Sequence, residues 1–281
     1  MSDKIFEIYG VPTKASKDEL YAAIKREHCP FLNRRCLKNR KSSPEKTIGT
    51  CTVSHGSAPI IICPHRLIQN NQIFIDCIHL LTTHQPGNEI HIVPEIAVPG
   101  GSIDYVLASV KNGKVEDFVG IELQTLDSTG SIWPARQKLA HSIGLSITQK
   151  DLKAVKSFGM NWKMTGKTIL VQLHHKIGTF ETLNKHLVLV VQDRLEEYMQ
   201  VNFDFSPFRE ARLGDSMHLH AYRLGQEDSK FKLELALRLS TDAIGIEKCL
   251  GLQVSSRVEL EDILRNIEQR ISTKTLLKLG K

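Results

Sequence analysis

Gly101-Ser102-Ile103-Asp104-Tyr105 and Val119-Gly120-Ile121-Glu122-Leu123-Gln124-Thr125 are the two stretches on which the fold and the chemistry turn. Between them lies Asn112-Gly113, a pair that accepts the positive φ angles of a two-residue hairpin turn. Apolar alternation on either side predicts paired strands over Ser102–Val110 and Phe118–Leu126. A period of two puts Glu122 and Gln124 on one face of the second strand and Leu123 on the other. Asp104, on the neighbouring strand, can face the same side. Upstream, Ile90–Val98 alternates as a third strand and carries Glu95, with a turn at Pro99-Gly100-Gly101 before the hairpin.

Downstream, Ile169, Leu173, Ile177, Phe180 and Leu183 recur at helical spacing and predict a helix over Thr165–Leu183. Leu187–Val191 is a continuous apolar run, the pattern of a strand buried on both faces. Strands near Met217–Arg223 and Phe231–Leu239 follow, then helices at Asp242–Leu250 and Val258–Ile271. Strand, strand, strand, helix, strand describes an α/β or α+β sheet with mixed pairing.

The N-terminal part differs. Ser16 and Glu19 form a capping-box pattern ahead of Leu20, Ala23 and Ile24, so a helix is predicted that ends near His28. Cys29 to Arg66 is rich in Arg, Lys, Ser, Pro and Gly, with little apolar periodicity. Such a segment is expected to need an ordering metal more than a core of its own. Ile73–Leu81 is apolar, and its periodicity does not decide between helix and strand. The division that follows is residues 1–70, a helix with a cysteine module, and residues 71–281, the sheet domain.

Lys and Arg number 37 against 31 Asp and Glu, a net charge of +6. That mild excess suits a protein that approaches phosphate backbones without requiring one. The N-terminus has no apolar targeting region, and no apolar run approaches the ~20 residues of a membrane helix. The chain is therefore read as cytoplasmic, with no membrane partner. In that compartment thiols stay reduced, so clustered cysteines suggest metal or catalysis.

Asp104 and Glu122 suit a hard divalent cation such as Mg²⁺, with the Leu123 carbonyl as a third ligand and Glu95 as an additional acid. Close carboxylates repel, and a cation removes that cost and activates water for attack on phosphorus. Acidic residues on strands are also common on solvated faces, so the spacing alone carries little specificity. The polar loop Leu126-Asp127-Ser128-Thr129-Gly130-Ser131 at the strand end is a place where sites sit.

Cys29, Cys36, Cys51 and Cys63 are separated by six, fourteen and eleven residues. Four thiolates suit tetrahedral Zn²⁺ or an iron ion, and the alternative is four cysteines in a small core. Cys77 and Cys249 sit alone and read as core. Arg34, Arg35, Lys38, Arg40 and Lys41, between the thiols, either contact phosphates or form a solvated loop.

Two blocks together resemble the NotI-type restriction endonucleases, a branch of the PD-(D/E)xK nuclease superfamily. One is His28-Cys29-Pro30-Phe31 through Cys36, Gly49-Thr50-Cys51-Thr52-Val53 and Cys63-Pro64-His65-Arg66. The other is Ile121-Glu122-Leu123-Gln124-Thr125-Leu126-Asp127 with Gly130-Ser131. The resemblance implies a restriction-endonuclease-like core plus a four-cysteine iron module bound through Cys29, Cys36, Cys51 and Cys63. It implies Asp104 and Glu122 as metal-binding carboxylates, Gln124 in the place of the usual lysine, and Glu95 as the upstream glutamate.

It further implies Mg²⁺-dependent double-strand cutting of a GC-rich palindrome by a homodimer. Double-stranded DNA would be the substrate, and a cognate methyltransferase would protect the same site in a bacterial host. Bidentate Arg–guanine contacts are expected, with Arg136, Arg209, Arg212 and Arg223 as candidates. Two rivals stand beside this reading: a repair-type or non-specific nuclease on the same core, and a non-catalytic DNA-binding protein with a four-cysteine metal site.

Overall fold

The computed structural model describes residues 4–56, 58–154, 157–227, 230–251, 264–265 and 268–269. Numbering the main elements in chain order, β1 is Ile5–Ile8, β2 Val11–Pro12, α1 Lys17–Arg26, β3 Thr50–His55 and β4 Ala58–Ile61. Then come β5 Glu89–Val98, β6 Gly101–Lys111, β7 Lys114–Leu123, α2 Trp133–Ser142 and α3 Trp162–Thr182. The remainder are β8 His186–Gln192, α4 Asp193–Asn202, β9 Arg209–Glu210, β10 Met217–Glu227, β11 Lys230–Thr241 and α5 Ala243–Cys249.

A seven-stranded mixed sheet in the order β9-β11-β10-β8-β7-β6-β5 forms the body. β5, β6 and β7 make an antiparallel meander, and Asn112 and Gly113 both take positive φ at its tight turn. α3 carries the chain back over the sheet, so that β8 lies parallel to both β7 and β10. All seven residues of β8 are buried, as its continuous apolar run predicts. At ~1.5–3 kcal/mol for each large apolar side chain removed from water, Leu187–Val191 anchors the sheet. One face packs on α3 through Ile169, Leu173, Ile177 and Phe180. The other meets the segment from Leu67 to Leu81.

Several boundaries move. The second hairpin strand starts at Lys114 and stops at Leu123, earlier than alternation suggests. Ile73–Leu81 resolves to helical turns, Gln72–Ile75 and Ile78–Leu80. β5 is a strand, yet it is exposed along nearly its whole length, because it is the sheet's edge. α2 and α4 have no counterpart in the sequence reading. The expected helix Val258–Ile271 lies almost wholly outside the described residues.

The Cys29–Arg66 segment contradicts the expectation that it buries no core. β3 and β4 join β1 and β2 in a four-stranded sheet ordered β2-β1-β3-β4. Val53, Ile60 and Ile62 from this layer enter the same apolar cluster as α3 and β8. Gln192 ties the layers by accepting from the Ile61 N–H (2.8 Å) and donating to the Pro59 carbonyl (2.8 Å). The strands are short and set between turn-forming residues, which hides them from a periodicity count. α1 forms with the predicted capping box and ends at Arg26, where Glu27 turns left-handed. No helix among the described residues is long and apolar enough to cross a membrane.

Candidate active site and cysteine module

The three acidic candidates stand abreast on adjacent strands. Tyr105 pairs with Ile121 on one side and with Pro94 on the other. One step along the same registers, Asp104 lies between Glu122 on β7 and Glu95 on β5. Asp104 Oδ2 accepts from the Leu123 N–H at 2.7 Å, which clips the carboxylate across the hairpin. Glu95 is exposed and takes φ +54°, an unusual value for a non-glycine residue in a strand.

Glu122 is only 4% exposed. Burial pushes its carboxyl up to about 7; the Asp104 charge adds to the rise, and the Lys176 ammonium works against it. Burial likewise raises Asp104, opposed by the Leu123 N–H and by Lys176. Two carboxylates are thus held where ionising both is costly, the electrostatic condition that a bound cation relieves.

Lys176 of α3 donates from Nζ to Glu122 Oε1 at 2.7 Å and to the Ser102 carbonyl at 2.6 Å. The sequence reading missed it. The signal was present: position 176 falls within the stripe of Leu173, Ile177 and Phe180, so a lysine sits on the apolar face of a helix. Gln124 continues the ladder beyond β7, its N–H meeting the Val190 carbonyl at 3.0 Å. Its side-chain amide donates to Gln172 Oε1 at 3.2 Å. Glu122, Gln124, Gln172 and Lys176 border one narrow gap between β7 and α3, too small to hold a water. The loop after β7 is fixed to the start of α3: Asn161 N–H donates to the Asp127 carbonyl (2.8 Å), and Asp127 N–H to Thr165 Oγ1 (3.3 Å).

The cysteine module borders this site. Cys29, Cys51 and Cys63 are buried and Cys36 half-buried. Burial raises the first three, Cys63 to about 11, and each is further raised by the charge of others in the set. Backbone N–H groups point at the sulfurs: Leu32 and Phe31 at Cys29, Gly10 at Cys51, His65 at Cys63. Such donors stabilise thiolate ligands in metal sites.

The donor chemistry therefore fits a thiolate-bound metal. Among the described residues, however, no three His, Cys, Asp or Glu side chains are grouped so as to hold a metal ion. For the carboxylates this is less restrictive, because Mg²⁺ keeps several waters and needs only one or two protein carboxylates. His65 lies within electrostatic reach of Asp104 and Arg34, which puts this residue of the module near the carboxylates.

The basic candidates divide. Arg35 pairs with Glu27 at 2.7 Å, Lys38 donates to the Ile62 carbonyl at 2.8 Å, and Arg40 lies over the Trp133 ring. Arg136 is buried, stacked on Trp133 and bonded to Gln137, so it cannot reach a base. Arg209, Arg212 and Arg223 are exposed, Arg209 being paired with Asp215. Cys77 and Cys249 are core residues.

A comparison with curated proteins finds no match. A family model, "Restriction endonuclease NotI", matches residues 23–211, a span that contains every cysteine of the module and Glu95, Asp104, Glu122 and Gln124. The match covers more than half of the chain and includes the meander, α3 and β8. Membership implies a DNA-cleaving hydrolase of the type II restriction class. The mixed sheet fits a restriction-endonuclease-like fold, and the chain belongs to the NotI restriction endonuclease family.

Proposed function

We propose that the chain is a Mg²⁺-dependent type II restriction endonuclease that acts as a homodimer. It would make double-strand cuts at one GC-rich palindrome, a site also modified by a cognate methyltransferase. The observation that carries the chemistry is the rung of Glu95, Asp104 and Glu122, with two of its carboxylates raised by burial beside one another.

Asp104, Glu122 and the Leu123 carbonyl would hold Mg²⁺. When bound, the ion supplies Lewis-acid polarisation of the phosphate and an activated water. Gln124 has no charge and cannot serve as a base, so its amide orients a water or a phosphate oxygen by hydrogen bonding. Glu95, exposed at the rim, would receive a proton from water. The Leu123 N–H fixes the Asp104 carboxylate, so the two strands present their acids as a unit.

Cys29, Cys36, Cys51 and Cys63 would bind structural iron, with zinc as the alternative ion. That metal would hold Arg34 and His65 beside the carboxylates. Arg209, Arg212 and Arg223 remain the candidates for guanine contacts. Two-fold symmetry of a homodimer would match the palindrome.

The test is digestion of a large, fully sequenced DNA in Mg²⁺, with Glu122→Ala in parallel. Discrete fragments that share one end sequence, and vanish with the variant, are expected. A smear lost with the variant would indicate a non-specific nuclease. DNA binding with no cleavage by either protein would refute the enzymatic reading.

A further inference from the structure

Two carboxylates and a phosphodiester bring three negative charges to one place. Two residues beyond Glu122 the strand offers no cation to offset them, because position 124 is the neutral Gln124. An ammonium nevertheless stands beside Glu122. Lys176 of α3 is 6% exposed, and spends two of its three N–H donors on Glu122 Oε1 and the Ser102 carbonyl.

The surroundings are built to this side chain. Gly101 has φ +141°, and a Cβ there would stand 3.3 Å from Lys176 Cε. At Gly100 a Cβ would meet the His175 carbonyl oxygen at 2.2 Å. The start of β6 therefore lies directly on α3 at this turn, with glycine where the backbone passes. Lys163 and Lys167, on the same helix, are exposed in the ordinary way.

We propose that Lys176 is the positioning cation of this active site: it delivers from helix α3 the charge that position 124 lacks, and it acts through Glu122 by fixing that carboxylate against the Ser102 carbonyl. The inference rests on the nuclease reading above and deepens it. Glu122, Gln124 and Lys176 border the same gap between β7 and α3, which makes position 124 the place on the strand from which to try supplying the charge. A charge that can be moved from helix to strand is what this proposal requires.

The experiment moves the charge. Wild type, Glu122→Ala, Lys176→Met and the double variant Gln124→Lys/Lys176→Met are compared for folding by circular dichroism, for DNA affinity without Mg²⁺, and for cleavage kinetics. Methionine keeps most of the lysine's length. Lys176→Met is expected to fold, to bind DNA within about threefold of wild type, and to lose on the order of 100-fold in kcat with little change in KM. The double variant is expected to regain at least about tenfold over Lys176→Met, a rescue that a packing role would not produce.

Cleavage by Lys176→Met within threefold of wild type would overturn the inference, as would a double variant no faster than the single one. If Lys176→Met fails to fold, the double variant decides: folding and cutting support the transferable charge, and failure to fold overturns it. A wild type that does not cut removes the nuclease reading and this inference together. A wild type that cuts, a Glu122→Ala that does not, and a Lys176→Met that does remove the inference alone.

Discussion

Arg66 is the most deeply buried cation of the described residues, and its removal has a calculable cost. Its side chain is 0% exposed and that of its partner Glu7 is 2% exposed. Nε donates to Glu7 Oε2 at 2.8 Å, Nη1 to Gln69 Oε1 at 2.9 Å and Nη2 to the Phe231 carbonyl at 2.9 Å. The guanidinium also lies over the Phe31 ring, 4.9 Å from its centre. One side chain thus joins β1, the helical turns after Cys63 and the β10–β11 hairpin.

Arg66→Met removes the charge and keeps much of the volume. Glu7 is left buried with the Thr52 hydroxyl, 2.8 Å away, as its remaining partner. Removing one member of a buried pair costs ~3–5 kcal/mol, because the other charge stays desolvated. For a chain of this size that corresponds to a fall in Tm of roughly 6–20 °C. Replacing both, as Arg66→Met/Glu7→Leu, removes the orphaned charge and should recover at least about half of the loss. Urea unfolding followed by circular dichroism measures all three proteins. A single variant that loses less than about 1 kcal/mol, or a double variant no more stable than the single one, would refute the argument.

The buried histidines make stability pH-dependent. Burial holds His218 down to about 4 and His220 to about 3, whereas an unfolded imidazole titrates near 6.5. Below 6.5 the unfolded chain takes up protons that the folded chain refuses, so the stability present above 6.5 is lost as pH falls towards 4. At pH 5 the loss is about 2 kcal/mol for each of the two, or about 4 in total. Urea midpoints at pH 7.5 and 5, beside a His218→Leu/His220→Phe variant, check this; equal pH dependence in both proteins would contradict it. In the cysteine module, protein prepared with iron should be red and hold about one ion per chain. Cys63→Ser should lower the metal content and the Tm. Full loading of that variant would exclude Cys63 as a ligand.

The parts of this fold that were legible in the sequence are those where one pattern had one meaning. Asn112-Gly113 between alternating runs could only be a hairpin, and Leu187–Val191 had to be buried on both faces. The stripe from Ile169 to Phe180 fixed α3. α2 escaped because its buried face includes Arg136 and Gln137, held by Trp133 and Asp151 through polar contacts that look like surface in a sequence. β3 and β4 escaped because six- and four-residue strands leave too few apolar positions to count.

The placement of Asp104 beside Glu122, with Gln124 further along, was readable because a strand's register follows from its turn. Lys176 was not readable as a partner of Glu122. Its role depends on a contact 54 residues away, set by how α3 crosses the sheet. The closeness of His65 to Asp104 likewise comes from packing and not from spacing.

The free edge of the large sheet has a consequence for how copies of this chain tolerate one another at high concentration. β5 exposes Ile90, Ile92, Val93 and Ile96 beside an unpaired backbone margin, a template onto which a foreign strand could add. Pro94 offers no N–H in the middle of that margin, and Glu95 next to it breaks the extended run with its left-handed φ. The interruption splits ten residues into two shorter lengths and blunts the margin as a template for intermolecular pairing. A Pro94→Val/Glu95→Val chain would present one continuous sticky ribbon and should precipitate at concentrations where the parent stays clear.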